Sequence, residues 1–397
     1  MERRFDFDTL ADRANIGCMK FLETPQAVRA AGLISFAGAE ADFKTAPAIM
    51  EGMIRRARGG FLGYTVPDEA YRFTVCSWMK RERGWQVEPE WIVPTGGTIR
   101  SVATALRMTT EPGEGMIVQP PVYFRYKQAA DRIGRKTVYN PLKRINGRYE
   151  MDFGDLERCM ENPKNRLMVL CNPHNPIGQV WGPSDLAKVA RLARQYGVTV
   201  FSDEIFAETV YNGHQVQPYS EAADATEHAM VSTSLGKAFS LTGVNFANLI
   251  IPDRELRERF IAQRNGDHYG SIEPMAHAAM MAAYTNEGAA WLHAMNGYVL
   301  ENIQLVRNFL AAHLPRVSAF ESEGAFILWI DWHGLGLPER QLHAFLEEEA
   351  LFLTDRGEEY GPGGAGFTRM NMASPKAEIQ KALDRLLATA KKRGLVI

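Results

Sequence analysis

Residues 166–205 read RLMVLCNPHNPIGQVWGPSDLAKVARLARQYGVTVFSDEI, and this stretch decides the fold. It begins and ends with short aliphatic runs, 167–171 and 198–202, whose lack of alternation is typical of strands covered on both faces. Between them, apolar residues recur at the i, i+3, i+4, i+7 spacing of an amphipathic helix. Pro183 suits the first turn of that helix, and Gly197 suits the position after its end. A strand, a helix and a strand in this order predict a parallel pair joined by a right-handed crossover.

The same alternation of aliphatic runs and amphipathic stretches extends on both sides of this unit. Further strands are predicted at Met116–Gln119, Met230–Ser232 and Asn248–Ile251. Helices are predicted at Thr98–Met108 and Tyr123–Ile133. Strands that alternate with helices indicate an α/β architecture with a mostly parallel sheet. We assign this large domain to residues 45–285.

The pattern changes after about residue 285. A long helix at Trp291–Leu314 leads to a strand at Phe326–Ile330, a helix near Glu339–Glu349 and a last helix that starts at Lys376. We expect a smaller α+β domain here, built from residues 286–397 and completed by residues 1–44.

Length, charge and cysteine usage exclude several classes of protein. A chain of 397 residues corresponds to two or three domain-sized units. Its net charge of −2 leaves no basic excess for binding nucleic acid. The four cysteines lie far apart and form no CxxC pair, so neither a disulfide framework nor a metal site is expected. With no signal-like or membrane-spanning apolar stretch, the sequence predicts a cytoplasmic protein without a membrane partner.

Polar residues with chemical potential follow the predicted strands. Because ligands of open α/β sheets bind beyond the carboxyl ends of the strands, these positions are the first place to look for a site. One Gly-rich turn also precedes a predicted helix. The candidates are Gly96, Gly97, Thr98, Tyr123, Asn175, Asp203, Ser232, Ser234 and Lys237.

These residue types together fit a phosphorylated, cationic aromatic aldehyde. The Gly-rich turn and the serines can bind a phosphate with backbone N–H and hydroxyl donors. Lys237 can form a Schiff base with an aldehyde, and Asp203 can hold a protonated ring nitrogen. Asn175 can donate to a phenolate oxygen, and Tyr123 can stack on the ring. Each residue alone has an ordinary structural explanation as a turn, a helix cap or a surface side chain, so the inference depends on the set.

The motifs resemble one known group of enzymes. TGGT (95–98), CNPHNPIG (171–178), SDEIF (202–206), STSLGKAF (232–239) and FTRMNMASP (367–375) are similar to those of fold-type-I pyridoxal-phosphate (PLP) enzymes of the aminotransferase class I and II superfamily. The histidine in CNPHNPIG and the Val-Trp pair that follows resemble the cystathionine β-lyase (C–S lyase) branch. The resemblance implies an aspartate-aminotransferase-like fold.

The resemblance also implies roles for individual residues. Lys237 resembles the Schiff-base lysine, and the other candidates resemble the residues that bind PLP. Arg369 resembles the arginine that binds the substrate α-carboxylate. Tyr64 resembles the tyrosine that reaches the cofactor phosphate of the partner subunit, which implies a homodimer with shared active sites.

Two single residues and two segments depart from the family pattern. Phe206 stands where many aminotransferases carry tyrosine and lyase-branch members often carry histidine. Asn245 stands where many members carry a phosphate-binding arginine. The segments 36–43 (FAGAEADF) and 17–20 (GCMK) also differ from the lyase branch. Because the last two flank the substrate in the family, the substrate is the least determined property.

The predicted activity is α,β-elimination at a C–S bond of an L-amino acid, which yields a thiol, pyruvate and ammonia. The alternative is an aminotransferase that moves the α-amino group to a 2-oxo acid, because the same residues serve both reactions. Another PLP-dependent outcome and a regulatory protein that keeps the fold without turnover also remain open.

Overall fold

The computed structural model describes residues 4–270 and 272–396 of the chain. Its strands, in chain order, are β1 Ile92–Thr95, β2 Gly115–Val118, β3 Lys136–Tyr139, β4 Lys143–Ile145, β5 Arg148–Glu150, β6 Asn165–Cys171, β7 Thr199–Asp203, β8 Ala229–Thr233, β9 Ala247–Ile250, β10 Ser318–Ala319, β11 Ile327–Asp331, β12 Asp355–Arg356 and β13 Phe367–Asn371.

The α-helices, in chain order, are α1 Met19–Glu23, α2 Gln26–Ala30, α3 Pro47–Arg58, α4 Glu69–Arg83, α5 Thr98–Thr109, α6 Arg125–Arg132, α7 Phe153–Glu161, α8 Pro183–Tyr196, α9 Leu235–Ala238, α10 Arg254–Gly266, α11 Pro274–Ala283, α12 Asn286–His313, α13 Glu339–His343 and α14 Lys376–Lys392. A wider π-helical turn, Ala344–Glu349, continues α13. None of the described helices is both long and apolar enough to cross a membrane.

A seven-stranded sheet forms the centre of the larger unit. Its strand order is β1-β9-β8-β7-β6-β2-β3. The four pairings between β3 and β8 are parallel, whereas β9 runs antiparallel to both β8 and β1. The carboxyl ends of β6, β7 and β8 therefore lie side by side at one edge. This mostly parallel sheet with its helices confirms the predicted α/β fold.

Helix α8 shows why the opening stretch folds as it does. Its apolar face, which includes Leu186, Val189 and Ala193, is buried. The helix begins at Pro183 and ends before Gly197, whose φ of 65° is a conformation that glycine adopts without steric cost. Both helix ends match the sequence prediction.

A second, four-stranded antiparallel sheet of order β10-β11-β13-β12 lies in the C-terminal part. Residues near the N-terminus hydrogen-bond to this unit, because Phe36 N–H donates to the carbonyl of Leu353 and Asp42 N–H to that of Ala373. That both ends of the chain build one small domain stays a prediction, which these contacts support. We keep the boundaries at residues 45 and 286 as a proposal.

Sequence patterns missed some elements and misplaced some ends. Strands β1 and β3 are four residues long, and β1 contains a proline, so neither gives a clear periodic signal. Helix α6 starts at Arg125 rather than Tyr123, and α12 starts at Asn286 rather than Trp291. The early start of α12 follows from its cap, since the Thr285 side chain accepts a hydrogen bond from Gly288 N–H.

Candidate active site

A cavity of about 760 Å³ opens where the carboxyl ends of the parallel strands meet the beginning of α5. The N-terminal segment 38–40 forms another part of its wall. The cavity therefore lies where an open α/β sheet is expected to bind a ligand. Of the residues predicted from sequence, its wall includes Gly96, Gly97, Thr98, Tyr123, Asn175, Asp203, Ser234, Lys237 and Arg369.

Lys237 lies on the short helix α9, directly after β8. Its ammonium Nζ donates a hydrogen bond to the carbonyl of Ala39 and lies 5.7 Å from the centre of the Phe206 ring. Burial and the nearby Arg369 cation lower the pKa of Lys237 to about 8. A substantial share of this amine is therefore neutral, and nucleophilic, near physiological pH.

Asp203 is the last residue of β7 and is buried. Its Oδ2 accepts a hydrogen bond of 2.5 Å from the Tyr126 hydroxyl, and its Oδ1 accepts one of 3.3 Å from Ile205 N–H. Burial raises the pKa of Asp203 to about 6, although both hydrogen bonds oppose that shift. The carboxylate is thus available to a cationic group in the cavity.

Arg369 connects the two sheets. It lies on β13, and its Nη1 donates to Asn175 Oδ1 at 3.0 Å, in the loop after β6. Its Nε and Nη2 both donate to Oδ2 of Asp355, at 3.0 and 2.5 Å. The Tyr360 ring lies 5.2 Å from the guanidinium carbon. The guanidinium is therefore held on three sides before any ligand binds.

The start of α5 has the features of an anion-binding site. Gly97 precedes the helix with a φ of 112°, and no side chain caps the exposed backbone N–H groups. The first turn contains no acidic residue, so no carboxylate of that turn balances the positive end of the helix. The Ser234 hydroxyl lies on the same cavity wall and donates to the carbonyl of Phe246 at 2.8 Å.

Ser232 takes a different position from the other phosphate candidates. Its side chain is fully buried, and its Oγ lies 3.0 Å from Oγ1 of Thr98. It is absent from the cavity wall. Ser232 therefore contacts a residue of the cavity wall, Thr98. A direct contact between Ser232 and the phosphate stays a prediction.

The two tyrosine candidates lie in different places. Tyr123 is half-buried in the cavity wall, with its ring edge-on to that of Tyr126 at 5.6 Å. Tyr64 is fully exposed and lines a neighbouring cavity of about 530 Å³. The two cavities share Gly96, Arg100, Asn245 and Phe246. Tyr64 of this chain thus stands outside the Lys237 cavity.

Sequence reasoning missed three residues of this site. Tyr126 follows Tyr123 by three positions, a spacing that places both on one face of the helix predicted at Tyr123–Ile133. Asp355 had no such signal, because its contact with Arg369 joins separate strands. Arg100 lies in the first turn of α5 and stacks on the Tyr269 ring at 5.2 Å. Within the described chain its guanidinium has no hydrogen bond or ion pair, and a cation at the positive end of a helix is unfavourable without an anion.

Away from the cavity, Glu339, His343 and Glu358 bring three potential ligand atoms within 4.8 Å of one another. His343 Nε2 lies 3.4 Å from the Glu339 carboxylate and 3.2 Å from that of Glu358. The His343 ring therefore lies between two carboxylates, within ion-pair distance of both. No sequence pattern had indicated a ligand cluster at these positions.

The similarity of this chain to known proteins is consistent with the site described above. The sequence profile of the family described as "Aminotransferase class I and II" matches residues 31–386. The chain is 34% identical to cystathionine beta-lyase PatB of Bacillus subtilis over 386 residues, covering 96% of this chain and 99% of that protein. It is 27% identical to the protein MalY of Escherichia coli, covering 96% and 98%.

Solved structures with the same fold include cystalysin from Treponema denticola, which contains pyridoxal 5′-phosphate. Its TM-score is 0.92 at 29% identity, covering 98% of this chain and 99% of that one. The PLP-bound C–S lyase from Staphylococcus hominis has a TM-score of 0.88 at 27% identity, covering 97% and 98%.

Proposed function

Because the chain belongs to the aminotransferase class I and II family, we propose that it is a PLP-dependent enzyme that cleaves a C–S bond of an L-amino acid. The observation that carries this proposal is the meeting of Lys237, Asp203 and Arg369 on one cavity wall. They come from α9, β7 and β13, and a lysine, a carboxylate and an arginine are what a PLP enzyme needs for its substrate chemistry.

The residues present fit this cofactor. The uncapped start of α5, with Gly96, Gly97 and Thr98, suits its phosphate. Arg100 provides an unpaired positive charge at the same helix end, where Asn245 provides none. Tyr123 and Asn175 suit the ring and its phenolate oxygen, while Ser234 and, through Thr98, Ser232 support the phosphate end.

When bound, PLP supplies an aldehyde that condenses with amines and a protonated ring that withdraws electrons from the substrate Cα. Asp203 holds the proton on the ring nitrogen. Lys237, whose lowered pKa suits a base near neutral pH, takes the proton from the substrate Cα. Phe206, which has no hydroxyl, leaves Asn175 as the donor to the phenolate oxygen.

Arg369 orients the substrate through its α-carboxylate. A guanidinium has five N–H donors, and the bonds to Asn175 and Asp355 use three of them. One N–H remains on each terminal nitrogen, so both nitrogens can still donate to a carboxylate. Asp355 and Asn175 therefore position Arg369 without exhausting its donors.

The elimination outcome is supported by the relatives. The protein that is 34% identical over nearly the whole chain is named a cystathionine beta-lyase, and the cystalysin and C–S lyase structures share the fold. In this reaction a thiolate leaves Cβ, and the products are a thiol, pyruvate and ammonia. The alternative is amino transfer to a 2-oxo acid, which an aspartate aminotransferase at 24% identity keeps open.

One assay separates these two reactions. Purified holoenzyme is supplied with L-cystathionine or a cysteine S-conjugate, and thiol and pyruvate are measured without any added amino acceptor. We expect equal amounts of both products, and none from Lys237→Ala. A keto product that forms only when 2-oxoglutarate or pyruvate is added would reject elimination in favour of amino transfer.

A regulatory protein without turnover is the third possibility. The enzyme is expected to show a visible absorbance band after addition of PLP, and Lys237→Ala is expected to lose it. A protein whose spectrum is unchanged by PLP would overturn the cofactor assignment. A normal band with no product from any amino acid would favour the regulatory alternative.

We also propose that the enzyme is a homodimer with shared active sites. Five large apolar or aromatic side chains between residues 61 and 73 are exposed, and Tyr64 is entirely so. A patch of this kind on one chain is typical of an interface. A second copy packed here would bring its Tyr64 to the phosphate end of the cavity. The four unpaired cysteines fit a reducing compartment, which we take to be the cytoplasm.

A further inference from the structure

Tyr126 makes the shortest contact to the carboxylate at the base of the cavity. It lies in the first turn of α6, and its ring is buried within an apolar cluster. Its hydroxyl donates to Asp203 Oδ2 at 2.5 Å, whereas the other hydrogen bond of this carboxylate, from Ile205 N–H, is 3.3 Å long. A short O–H···O⁻ contact of this kind is a charge-assisted hydrogen bond.

Tyr126 is suited to act as a permanent donor. Burial and the neighbouring Asp203 charge raise the pKa of Tyr126 well above its ordinary value, so the hydroxyl stays protonated. Its ring also lies edge-on to Tyr123 at 5.6 Å. One residue thus contacts both the predicted partner of the ring nitrogen and the predicted stacking ring.

Opposing effects of the surroundings determine whether Asp203 is charged. Burial favours the neutral acid, while the Tyr126 hydrogen bond and the Lys237 cation favour the carboxylate. The titratable groups near Asp203 are Cys171 at the end of β6, Glu204 directly after β7, Lys237 on α9, Tyr123 before α6 and Tyr126 in the first turn of α6. Among them, Tyr126 is the direct hydrogen-bond donor.

We propose that Tyr126 is a positioning residue that keeps Asp203 ionised and fixes its orientation toward the cofactor ring nitrogen. This inference rests on the proposed PLP-dependent function. The physical reason is that a donor to Oδ2 stabilises the charged form and restricts rotation of the carboxylate. A protonated or rotated Asp203 would not hold the ring nitrogen in its electron-withdrawing form.

The test compares Tyr126→Phe with Tyr211→Phe. Phe keeps every ring contact of Tyr126 and removes only the hydroxyl. Tyr211 is an apt control because it is also buried, and its hydroxyl has no hydrogen-bond partner in the described structure. The PLP dissociation constant and the visible spectrum of each holoenzyme are measured as a function of pH, and thermal melting reports whether each variant is folded.

We expect the pH below which PLP binding weakens to rise by about one unit in Tyr126→Phe, because loss of the donor raises the pKa of Asp203. Tyr211→Phe should match the unaltered enzyme. In an Asp203→Asn background, Tyr126→Phe should produce no further shift. A profile unchanged by Tyr126→Phe, or a shift that persists without the Asp203 carboxylate, would overturn the inference.

The two proposals fail in different ways. If the unaltered protein does not bind PLP at any pH, the proposed function fails. If it binds PLP and Tyr126→Phe leaves the profile unchanged, only the role of Tyr126 fails. A crystal structure of the unaltered holoenzyme gives an independent test: a Tyr126 hydroxyl too far from Asp203 for a hydrogen bond would overturn the inference without any variant.

Discussion

At the scale of single residues, the site depends on groups whose charge is set by their neighbours. Lys237 and Arg369 are two cations on one cavity wall, and each disfavours a second positive charge nearby. Asp355 holds Arg369 by two hydrogen bonds and so fixes where that charge lies. The ionisation of Lys237 is therefore a property of the whole cluster.

Removal of the Arg369 charge should shift the titration of Lys237. The neutral amine attacks an aldehyde, so capture of PLP by apoenzyme should accelerate as pH rises through about 8. In Arg369→Gln the lost cation and the freed Asp355 carboxylate both raise the pKa of Lys237, and the midpoint should move to higher pH. Stopped-flow absorbance at a series of pH values measures this.

Arg385→Gln is the matched control, because that arginine donates to the carbonyls of Ala350 and Glu349 and does not line the cavity. Its midpoint should stay that of the unaltered apoenzyme. A lower midpoint in Arg369→Gln would contradict the electrostatic account.

Arg100 should contribute to phosphate binding. A hydrogen bond to a charged group is worth about 1.5–3 kcal/mol, so Arg100→Ala should weaken PLP binding about 10- to 100-fold. Equilibrium dialysis measures the dissociation constant. Arg254→Ala, an exposed arginine on α10, is the control. Binding of pyridoxal, which lacks the phosphate, should be unaffected; an equal loss for pyridoxal and PLP would exclude a phosphate contact.

At the scale of elements, the decisive feature is the turn that starts α5. Gly97 has a φ of 112° and a ψ of 156°, a conformation that is essentially restricted to glycine. Gly97 and the first residues of the helix, Thr98 and Ile99, line the cavity. The sequence predicted this turn from its glycines, although a GG pair has many other uses.

Substitution of Gly97 by alanine should be costly. No atom lies within 4 Å of an added Cβ, so the penalty of about 1–3 kcal/mol comes from the backbone conformation alone. Gly297→Ala, inside α12 with equal space, should instead stabilise by about 0.5–1 kcal/mol. Chemical denaturation of the apoenzymes measures both, and a tolerated Gly97→Ala with normal PLP affinity would contradict the role of the turn.

At the scale of the whole molecule, one chain carries most of the proposed site, but not the part assigned to Tyr64. That residue is fully exposed beside a neighbouring cavity. If the enzyme is a dimer with shared sites, each site needs Lys237 from one subunit and Tyr64 from the other. This arrangement makes mixed dimers informative.

Co-refolding of Lys237→Ala with Tyr64→Ala should restore activity, because one site of each mixed dimer then contains both native residues. Co-refolding of Lys237→Ala with Asp203→Ala should not, since these two residues belong to the same subunit's site. Product release by each mixture, compared with each variant alone, measures the effect. No recovery in the first mixture, despite dimers seen by light scattering, would reject a shared site.

Much of the architecture was predictable because it has a local cause. The parallel strands are aliphatic since they are covered on both faces. Pro183 and Gly197 mark the two ends of α8 in the sequence. Strand β1 escaped prediction because four residues with a proline carry no period. The antiparallel direction of β9 could not be predicted from the sequence either, since strand direction depends on the path of the whole chain.

The kind of chemistry could be read from the sequence, because residue type and order at strand ends are local properties: a lysine after β8, an aspartate at the end of β7 and a glycine turn before α5. Only the tertiary structure decided which groups control them. Tyr126 meets Asp203 from 77 positions away, Asp355 meets Arg369 across two strands, and Ser232 lies behind Thr98. Such contacts depend on how elements pack, and the separation of the two partners along the chain does not predict them.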